Sequence, residues 1–294
     1  MTRIKSYLKQ AYPALLLCFL SFSLYAQKPP MKWGNVEDGD LSMSVYEPDT
    51  AAAAAILGDY AELSVDLGDG SLRYVFEHHR RIKILKLGGF QYADIPIPFH
   101  KGQELGNLKA QLFTPDGQQY EVDKSAIFEE QTTEEWSQIK FSFPQVVEGA
   151  VIEFRYRLSS ENVLQLREWY FQSEIPTRWS ELRLSIPEWY DYIFINQGRK
   201  FDIEEREQRP ETIRIPSGNT ASSRGGGAVR ANVNKCRFVM ENVPALKEEA
   251  YVTTMDDYRA RMRFQLRSIK YPQSYVQPIL TDWVTLAACR RTGC

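Results

Sequence analysis

The three histidines of this 294-residue chain are the first side chains to weigh for metal or acid–base chemistry. His78 and His79 are adjacent on a predicted strand, so they point to opposite faces of a sheet and cannot easily bind one metal ion. His100 lies elsewhere in the sequence, whereas a zinc site needs about three or four ligands at a set geometry. We therefore predict that all three are ordinary polar residues of strands and loops, and we predict no metal site.

The cysteines are the next candidates, because a thiolate can act as a nucleophile. Cys236 lies between two basic residues, which would favour its thiolate if the side chain were exposed. The favoured interpretation is a buried cysteine that shares one strand face with Phe238 and Met240. Cys289 lies in an unpatterned tail, where no base is positioned to activate it. We predict no catalytic and no cofactor-binding residue in the chain.

Acidic residues at turns suggest calcium loops in two places. Glu37, Asp38 and Asp40 form one group, and Asp66 and Asp69 form the other. Neither group has the spacing of a calcium loop with a later bidentate glutamate. Turn chemistry is the favoured interpretation of both groups.

Other polar clusters have a plain interpretation and a functional alternative. Four glutamates indicate a solvated loop, although paired carboxylates for glycoside hydrolysis are arranged in space and stay an alternative: Glu129, Glu130, Glu134 and Glu135. The run Gly225–Gly227 lacks the Lys-Ser/Thr of a phosphate loop and is typical of a linker. Three arginines on one strand face could bind an anionic partner, but a solvated face is favoured: Arg259, Arg261 and Arg263. A sugar-stacking platform of Trp169, Trp179 and Trp189 is disfavoured against core packing.

Residues 1–26 resemble a signal peptide. Arg3, Lys5 and Lys9 form a positive start, and Ala14–Leu24 is an apolar segment too short to span a bilayer comfortably. Cleavage after Ala26 would leave an exported protein, periplasmic or extracellular, with no membrane span; a retained anchor is the alternative. The formal net charge of −2 gives no basic field for nucleic acid.

Short alternating strands with frequent turns make up most of the rest. The pattern predicts strands at 41–47, 60–67, 72–85, 92–99, 139–146, 151–158, 190–197, 200–205, 211–216, 232–240 and 258–266, and a hairpin over 108–122. A single helical turn is predicted at 51–55 and loops at 128–136, 217–229 and 245–254. A bulge or sheet edge is predicted at 78–81, and Pro96 and Pro98 predict an edge strand. The strands 139–146 and 151–158 are predicted to form a second hairpin through Glu148-Gly149.

The aromatic stretch Leu166–Pro187 is predicted to be a strand, a proline-marked corner and a second strand at the centre of the core. Together the patterns predict an all-β fold, an antiparallel β-sandwich with extra strands and only short helical turns. The predicted domains are the signal peptide 1–26, the β-sandwich 27–250, a strand and linker 251–283, and an atypical tail 284–294.

Four stretches carry a resemblance to a known family: Met31–Val45, RIKIL with YADIPIPF after residue 80, Trp136–Tyr156, and Trp169–Trp189. The chain resembles the N-terminal β-domain of unknown function that precedes a transglutaminase-like core in bacterial exported proteins. The resemblance implies a β-sandwich followed by a Cys-His-Asp core, yet no histidine follows His100. Truncation or a frameshift is therefore a hypothesis, which reading the gene beyond the stop codon would test.

The sequence thus predicts a non-catalytic exported module that binds or scaffolds an absent transglutaminase-like core. One alternative is a truncated fragment of a transglutaminase-like or peptidase enzyme. Another is a cell-envelope carbohydrate or peptide binder that uses an exposed edge strand. The partner is a protein, peptide or glycan of unknown identity.

Overall fold

The computed structural model describes residues 30–68, 71–215, 227–247, 257–271 and 275–280, and strands dominate them. The strands are β1 Ala54–Gly68, β2 Ser71–Ile84, β3 Asp94–His100, β4 Gln103–Phe113, β5 Gln119–Glu121, β6 Phe128–Gln131, β7 Trp136–Ser142, β8 Val151–Ser160, β9 Trp169–Tyr170, β10 Thr177–Pro187, β11 Tyr190–Gln197, β12 Ile203–Ile215, β13 Gly227–Val243, β14 Arg261–Ile269 and β15 Gln277–Pro278. The helical elements are short: α1 Asp38–Ser42, and 3-10 turns at Glu47–Asp49, Leu87–Ala93 and Lys124–Ala126. The predicted all-β fold is confirmed.

The described residues form three sheets. The largest has eight strands in the order β12-β13-β10-β1-β2-β8-β4-β5. Strands β11, β14, β15 and β9 form the second sheet, and β3, β7 and β6 form the third. One hydrophobic cluster contains residues from all three sheets, including Phe76, Phe141 and Met262. The core therefore lies on one face of the eight-stranded sheet, which we call the inner face, and the opposite face is the outer face.

The bulge predicted at 78–81 has a counterpart opposite Arg81 and Ile82, in the neighbouring strand, whereas a sheet edge there is wrong because β2 is central. Strand β2 pairs antiparallel with β1 on one side and with β8 on the other. The irregularity lies in β1, between Ile56 and Gly58. Because the extra residue reverses the alternation of faces, Ile56 and Asp59 both point to the inner face. The polar residues of β2 are tolerated because neighbouring strands supply buried partners.

Strand β3 lies at a sheet edge, as its prolines predict. Among the described strands it pairs with β7 alone, from Asp94 opposite Ser142 to His100 opposite Trp136. The carbonyl of Pro98 points away from β7 and accepts a hydrogen bond from Arg167, at 3.0 Å. Since proline has no N–H, this edge offers acceptors but no donors at Pro96 and Pro98.

The segment before β1 differs from the prediction. Residues 41–47 form no strand; α1 ends at Ser42 and a 3-10 turn begins at Glu47. Leu41 and Met43 instead pack on an apolar patch of the outer face. The helical turn predicted at 51–55 is also wrong at its end, because β1 begins at Ala54. The side chains of Ala54 and Ala55 are fully buried.

One predicted loop, one predicted hairpin and one pair of predicted strands also differ. Residues 128–136 contain β6 and the start of β7 rather than a continuous loop. Strand β7 pairs with β3 and β6, while β8 pairs with β2 and β4, so these two strands are not a hairpin. The two strands predicted at 200–205 and 211–216 are one strand, β12. Its pairing with β13 continues without a break past Pro210, which lies opposite Asn232. The hairpin that turns at residues 115–117 is confirmed by the pairing of β4 with β5.

The aromatic stretch divides as predicted into strand, corner and strand. Strand β9 is only Trp169–Tyr170, and β10 begins after Pro176. Strand β10 pairs antiparallel with β13 but parallel with β1, so the sheet is mixed rather than purely antiparallel. Trp169 is 3% exposed, which confirms its place in the core.

Candidate functional site

Two pockets lie on opposite faces of the eight-stranded sheet. The inner pocket, of about 540 Å³, is lined by residues of β2, β3, β8 and β9, including His78, Arg80, Pro96 and Trp169. The outer pocket, of about 740 Å³, has walls from β1, β2, β4, β8, β10 and the segment before α1. Its side chains include these: Lys32, Trp33, Tyr60, Glu62, Glu77, His79, Lys109, Arg155, Arg157 and Arg183.

A buried ion-pair group lies beside the inner pocket. The His78 ring contacts Asp59 through Nε2, 2.6 Å from Oδ1. Arg80 donates to both carboxylate oxygens of Asp59, from Nε at 3.0 Å and from Nη2 at 2.6 Å. His78 is 7% exposed and Asp59 only 2% exposed. The bulge in β1 allows Asp59 to contact His78 and Arg80, because it turns Asp59 towards the inner face.

Burial and neighbouring charges together set the protonation of this group. Burial would raise the pKa of Asp59, but the positive charge of Arg80 and the contact with His78 outweigh it and lower that pKa to about 2. Burial lowers the pKa of His78 to about 4, against the pull of Asp59. His78 is therefore neutral at pH 7 and donates from Nε2 to the carboxylate. Its Nδ1 is buried and has no hydrogen-bond partner in the described part of the chain.

Aromatic rings enclose His78. The ring centroids of Tyr156 and Trp169 lie 5.1 Å and 5.3 Å from that of His78, both edge-on. Phe76 and Phe154 each lie 5.9 Å away. This enclosure keeps the imidazole out of water and accounts for the fall in its pKa.

A second buried group lies on the outer face, around Glu153. This side chain is fully buried and accepts hydrogen bonds from Arg81 at 2.5 Å and from Gln111 at 2.6 Å. The Gly34 amide also donates to it, at 2.9 Å, and His79 Nε2 lies 2.8 Å away. Burial would raise the pKa of Glu153, but these partners lower it to about 2. The group joins β8, β2 and β4 to the segment before α1.

Two more buried charged side chains link strands and loops on the outer face. Glu181 is fully buried between Arg183 and Arg237, whose Nε atoms lie 2.6 Å and 2.9 Å from its Oε1. Lys83 is also fully buried and donates to the carbonyls of Leu41, at 2.7 Å, and Gly149, at 2.6 Å. Burial lowers the pKa of Lys83 to about 8. These contacts are structural, since each charged group is held by neighbouring strands or loops.

Acidification from pH 7 to pH 3 is expected to destabilise the protein progressively. Asp59, Glu153 and His78 all have a lower pKa in the folded chain than their ordinary values of 3.8, 4.5 and 6.5. The unfolded chain therefore binds protons first, so stability present above about pH 6.5 is lost as the pH falls towards the folded-state values. Urea unfolding followed by tryptophan fluorescence over this range measures the effect. A free energy of unfolding that stays constant from pH 7 to pH 3 would contradict it.

The structure separates the three histidines, as predicted. His78 and His79 point to opposite faces, where Asp59 and Glu153 hold them. They are nevertheless buried parts of ion-pair groups rather than ordinary polar residues. His100 is a surface residue that contacts the carbonyl of Lys101, at 2.7 Å. No group of three or more His, Cys, Asp or Glu side chains within the described ranges could hold a metal ion.

The predicted interpretation of Cys236 is confirmed. Its side chain is buried in the main core cluster with Phe238 and Met240. Burial raises the pKa of the Cys236 thiol, which makes the thiolate scarce at pH 7. Cys289, Asp69, Gly225 and Gly226 lie outside the described residues, as do the side chain of Asp66 and the predicted signal peptide.

The acidic candidates divide between surface and interior. The four glutamates between residues 129 and 135 are exposed, and Glu130 pairs with Lys140 at 2.6 Å. Turn chemistry does not account for Asp40, which is buried and accepts from Arg178 at 2.6 Å and 3.1 Å. Glu37 and Asp38 are exposed.

The tryptophan and arginine candidates lie in separate places. Trp169 and Trp189 belong to the main core, whereas Trp179 is half-buried on the outer face and donates to Glu181 at 2.9 Å. The three therefore form no common platform. The arginines at 259, 261 and 263 are half-buried rather than a free solvated face. The guanidinium carbons of the first two lie 5.2 Å and 6.0 Å from the ring centroid of Tyr170.

Sequence reasoning missed Asp59, Glu153, Glu181 and Lys83 as buried charges. Alternation alone places Glu153 on the polar face of β8, which looks solvent-exposed until its partners are known. The sequence of β2 does contain an indication of buried ion pairs. Charged residues interrupt both faces of this long strand, and buried ion pairs would explain such an interruption.

None of the helices in the described portion is long and apolar enough to cross a bilayer.

Comparison with known proteins gives a family match and a shared fold. Residues 71–215 match the model of a domain of unknown function, DUF3857. No curated protein matches the chain. A solved structure from Parabacteroides distasonis ATCC 8503, whose description reads "putative protease", shares 12% identity and a TM-score of 0.54, over 74% of this chain and 41% of that one.

A second solved structure is an M1 zinc metallopeptidase from Deinococcus radiodurans, with 10% identity and a TM-score of 0.32 over 78% of this chain and 46% of that one. This chain spans well under two thirds of either neighbour's length. The link to a transglutaminase-like core stays a prediction. Residues 71–215 therefore match DUF3857, and the chain shares its fold with the Parabacteroides protein.

Proposed function

We propose that this chain is a non-catalytic exported module that binds a partner and scaffolds a transglutaminase-like core. One observation carries the proposal: the buried histidine and carboxylates that could do acid–base chemistry serve as contacts between strands. Asp59 and Glu153 are held by two or more partners each, and His78 is held by Asp59.

The protonation of these groups is poorly suited to catalysis near neutral pH. A general acid or base works best when its pKa lies near the working pH. The pKa of Asp59 and that of Glu153 are about 2, and that of His78 is about 4. The free nitrogen of His78 is also buried, so a substrate in the inner pocket could not reach it without movement of the surrounding rings.

The scaffolding part of the proposal is supported by the extent of the structural likeness. The chain matches 41% of the Parabacteroides protein, whose description names a protease. A module of this size beside a separate catalytic core agrees with the family resemblance seen in the sequence. The same resemblance and the predicted signal peptide support export to the periplasm or beyond.

Binding by strand addition is disfavoured at one edge. Strand β3 offers no backbone N–H at Pro96 and Pro98, and the carbonyl of Pro98 already accepts a hydrogen bond from Arg167. A peptide strand added there would lose half of its ladder at these positions. The outer pocket is the better binding surface, because polar and aromatic side chains of five strands line it and Glu153 holds one of them, His79, in place.

Turnover assays on the purified chain and on His78→Asn test the proposal. We expect no hydrolysis of peptide p-nitroanilides or p-nitrophenyl esters, and no transfer from glutamine peptides to hydroxylamine, above an enzyme-free blank for either protein. A known esterase and a known transglutaminase establish that each assay works. Turnover by the wild-type chain that His78→Asn abolishes would overturn the proposal and make the inner pocket an active site.

A further inference from the structure

We propose that the outer pocket binds the carboxylates of an acidic peptide segment. This inference gives a ligand class to the binding module proposed above and rests on that proposal. It is carried by an excess of positive charge, by two neighbouring cations without a carboxylate partner, and by an aromatic support that fixes one of them.

The pocket is positive although the protein is not. Its lining contains five cationic and two anionic side chains, namely Lys32, Lys109, Arg155, Arg157 and Arg183 against Glu62 and Glu77. Arg157 lies 3.9 Å from Glu77 and Arg183 pairs with the buried Glu181 at 2.6 Å, so the excess positive charge comes from the other three cations. The whole chain has a formal net charge of −2. A local concentration of positive charge attracts anions to the pocket, and the weak overall charge gives no field for nucleic acid.

Lys109 and Arg155 form the centre of this positive surface. They lie directly opposite each other on the paired strands β4 and β8. Like charges in this arrangement repel and destabilise a sheet unless a counter-charge lies between them. Neither side chain pairs with a carboxylate in the described part of the protein. A ligand carboxylate between them would relieve the repulsion.

Arg155 is held in position before any ligand arrives. Its guanidinium carbon lies 4.8 Å from the ring centroid of Trp33. The centroids of Trp33 and His79 are 5.7 Å apart, and His79 is fixed in turn by Glu153. The Gly34 amide, next to Trp33, donates to the same carboxylate. An arginine held by stacking loses little freedom on binding, which favours recognition of a carboxylate.

On the opposite wall of the outer pocket, a second arginine also lies against an aromatic ring. The guanidinium carbon of Arg183 lies 5.2 Å from the ring centroid of Tyr60, whose hydroxyl donates to Glu62 at 3.1 Å. The pocket volume of about 740 Å³ accommodates several peptide residues. Glu62 and Glu77 leave the surface mixed in sign, which suits a peptide with spaced carboxylates and backbone N–H donors. Trp33 contacts Arg155 and His79, so its ring is poorly placed as a sugar platform.

Binding of fluorescein-labelled hexaglutamate, followed by anisotropy at low and high salt, tests this inference. Hexaglutamine with the same label is the neutral control peptide. We expect hexaglutamate to bind, with affinity that falls as salt rises, and hexaglutamine not to bind. Lys109→Gln and Arg155→Gln should each weaken binding about tenfold, since each removes a charge-assisted contact.

Matched variants separate the pocket from general charge. Arg209→Gln removes a cation of β12 that pairs with Glu207 outside the pocket, so it should leave binding unchanged. Arg155→Lys keeps the charge but loses the stacking plane, and we expect an intermediate affinity. Thermal melts of all variants check folding, and both substituted pocket residues reach solvent.

Two results would overturn the inference. They are absence of hexaglutamate binding, whether or not the polyanionic sugar oligogalacturonate binds, and equal loss of hexaglutamate binding in Arg209→Gln and Arg155→Gln. None of these would affect the proposed non-catalytic role, which the turnover assays test separately.

Discussion

Replacing Glu153 by glutamine is expected to lower the free energy of unfolding by about 3–5 kcal/mol, because it leaves a buried arginine without its counter-ion. Glu153 is fully buried, and Arg81 beside it is only 4% exposed, with its Nη2 at 2.5 Å from Oε1. The neutral amide keeps the volume but removes the charge. Urea unfolding at pH 7 measures the difference.

Two further variants show whether charge is the cause. Glu77→Gln on β2 is the matched control, since this exposed glutamate is 3.9 Å from Arg157 and should contribute at most about 1 kcal/mol. Adding Arg81→Met to Glu153→Gln should recover part of the loss, because the second change removes the uncompensated charge. Equal, small effects of Glu153→Gln and Glu77→Gln would show that the buried pair is not important for stability.

Trp169→Ala is expected to destabilise the fold by about 3–5 kcal/mol, the usual cost of emptying a large core site. Trp169 packs between Phe76 and Phe171, at centroid distances of 6.1 Å and 6.3 Å, and covers His78. Its Nε1 donates to the buried hydroxyl of Ser180, at 3.2 Å, so the substitution also leaves a polar group unpaired. Thermal and urea unfolding measure the loss.

A second tryptophan provides the comparison. Trp136 is 46% exposed, and Trp136→Ala should change stability by less than about 1 kcal/mol. Hexaglutamate binding should survive Trp169→Ala at temperatures where the variant remains folded, since Trp169 lies on the inner side of the sheet. A stable Trp169→Ala protein that no longer binds a ligand would make this residue part of a binding site instead.

The strands themselves could be predicted from the sequence because alternation is a local property. Residues 190–197 match β11 at both ends, and Pro96 and Pro98 identify an edge, since proline cannot donate to a second neighbour. The partners of the strands could not be predicted in the same way. Strand β10 lies parallel to β1 from more than a hundred residues earlier, and no local pattern encodes that pairing.

The segment before β1 shows why local pattern also misleads. Residues 41–47 alternate like a strand, yet Leu41 and Met43 cover an apolar patch of the sheet without joining it. Alternation indicates which side chains are apolar, and only the surrounding structure decides whether a neighbouring backbone is available to pair.

In the candidate site, the opposite orientation of His78 and His79 follows from the sequence, because side chains of a strand alternate with a period of two. Their partners, Asp59 on the inner face and Glu153 on the outer face, depend on how distant strands pair. Asp59 reaches the inner face because of the bulge after Ile56, where one extra residue reverses the faces of β1. The positive outer pocket depends on a different long-range feature, the register between β4 and β8, which places Lys109 opposite Arg155.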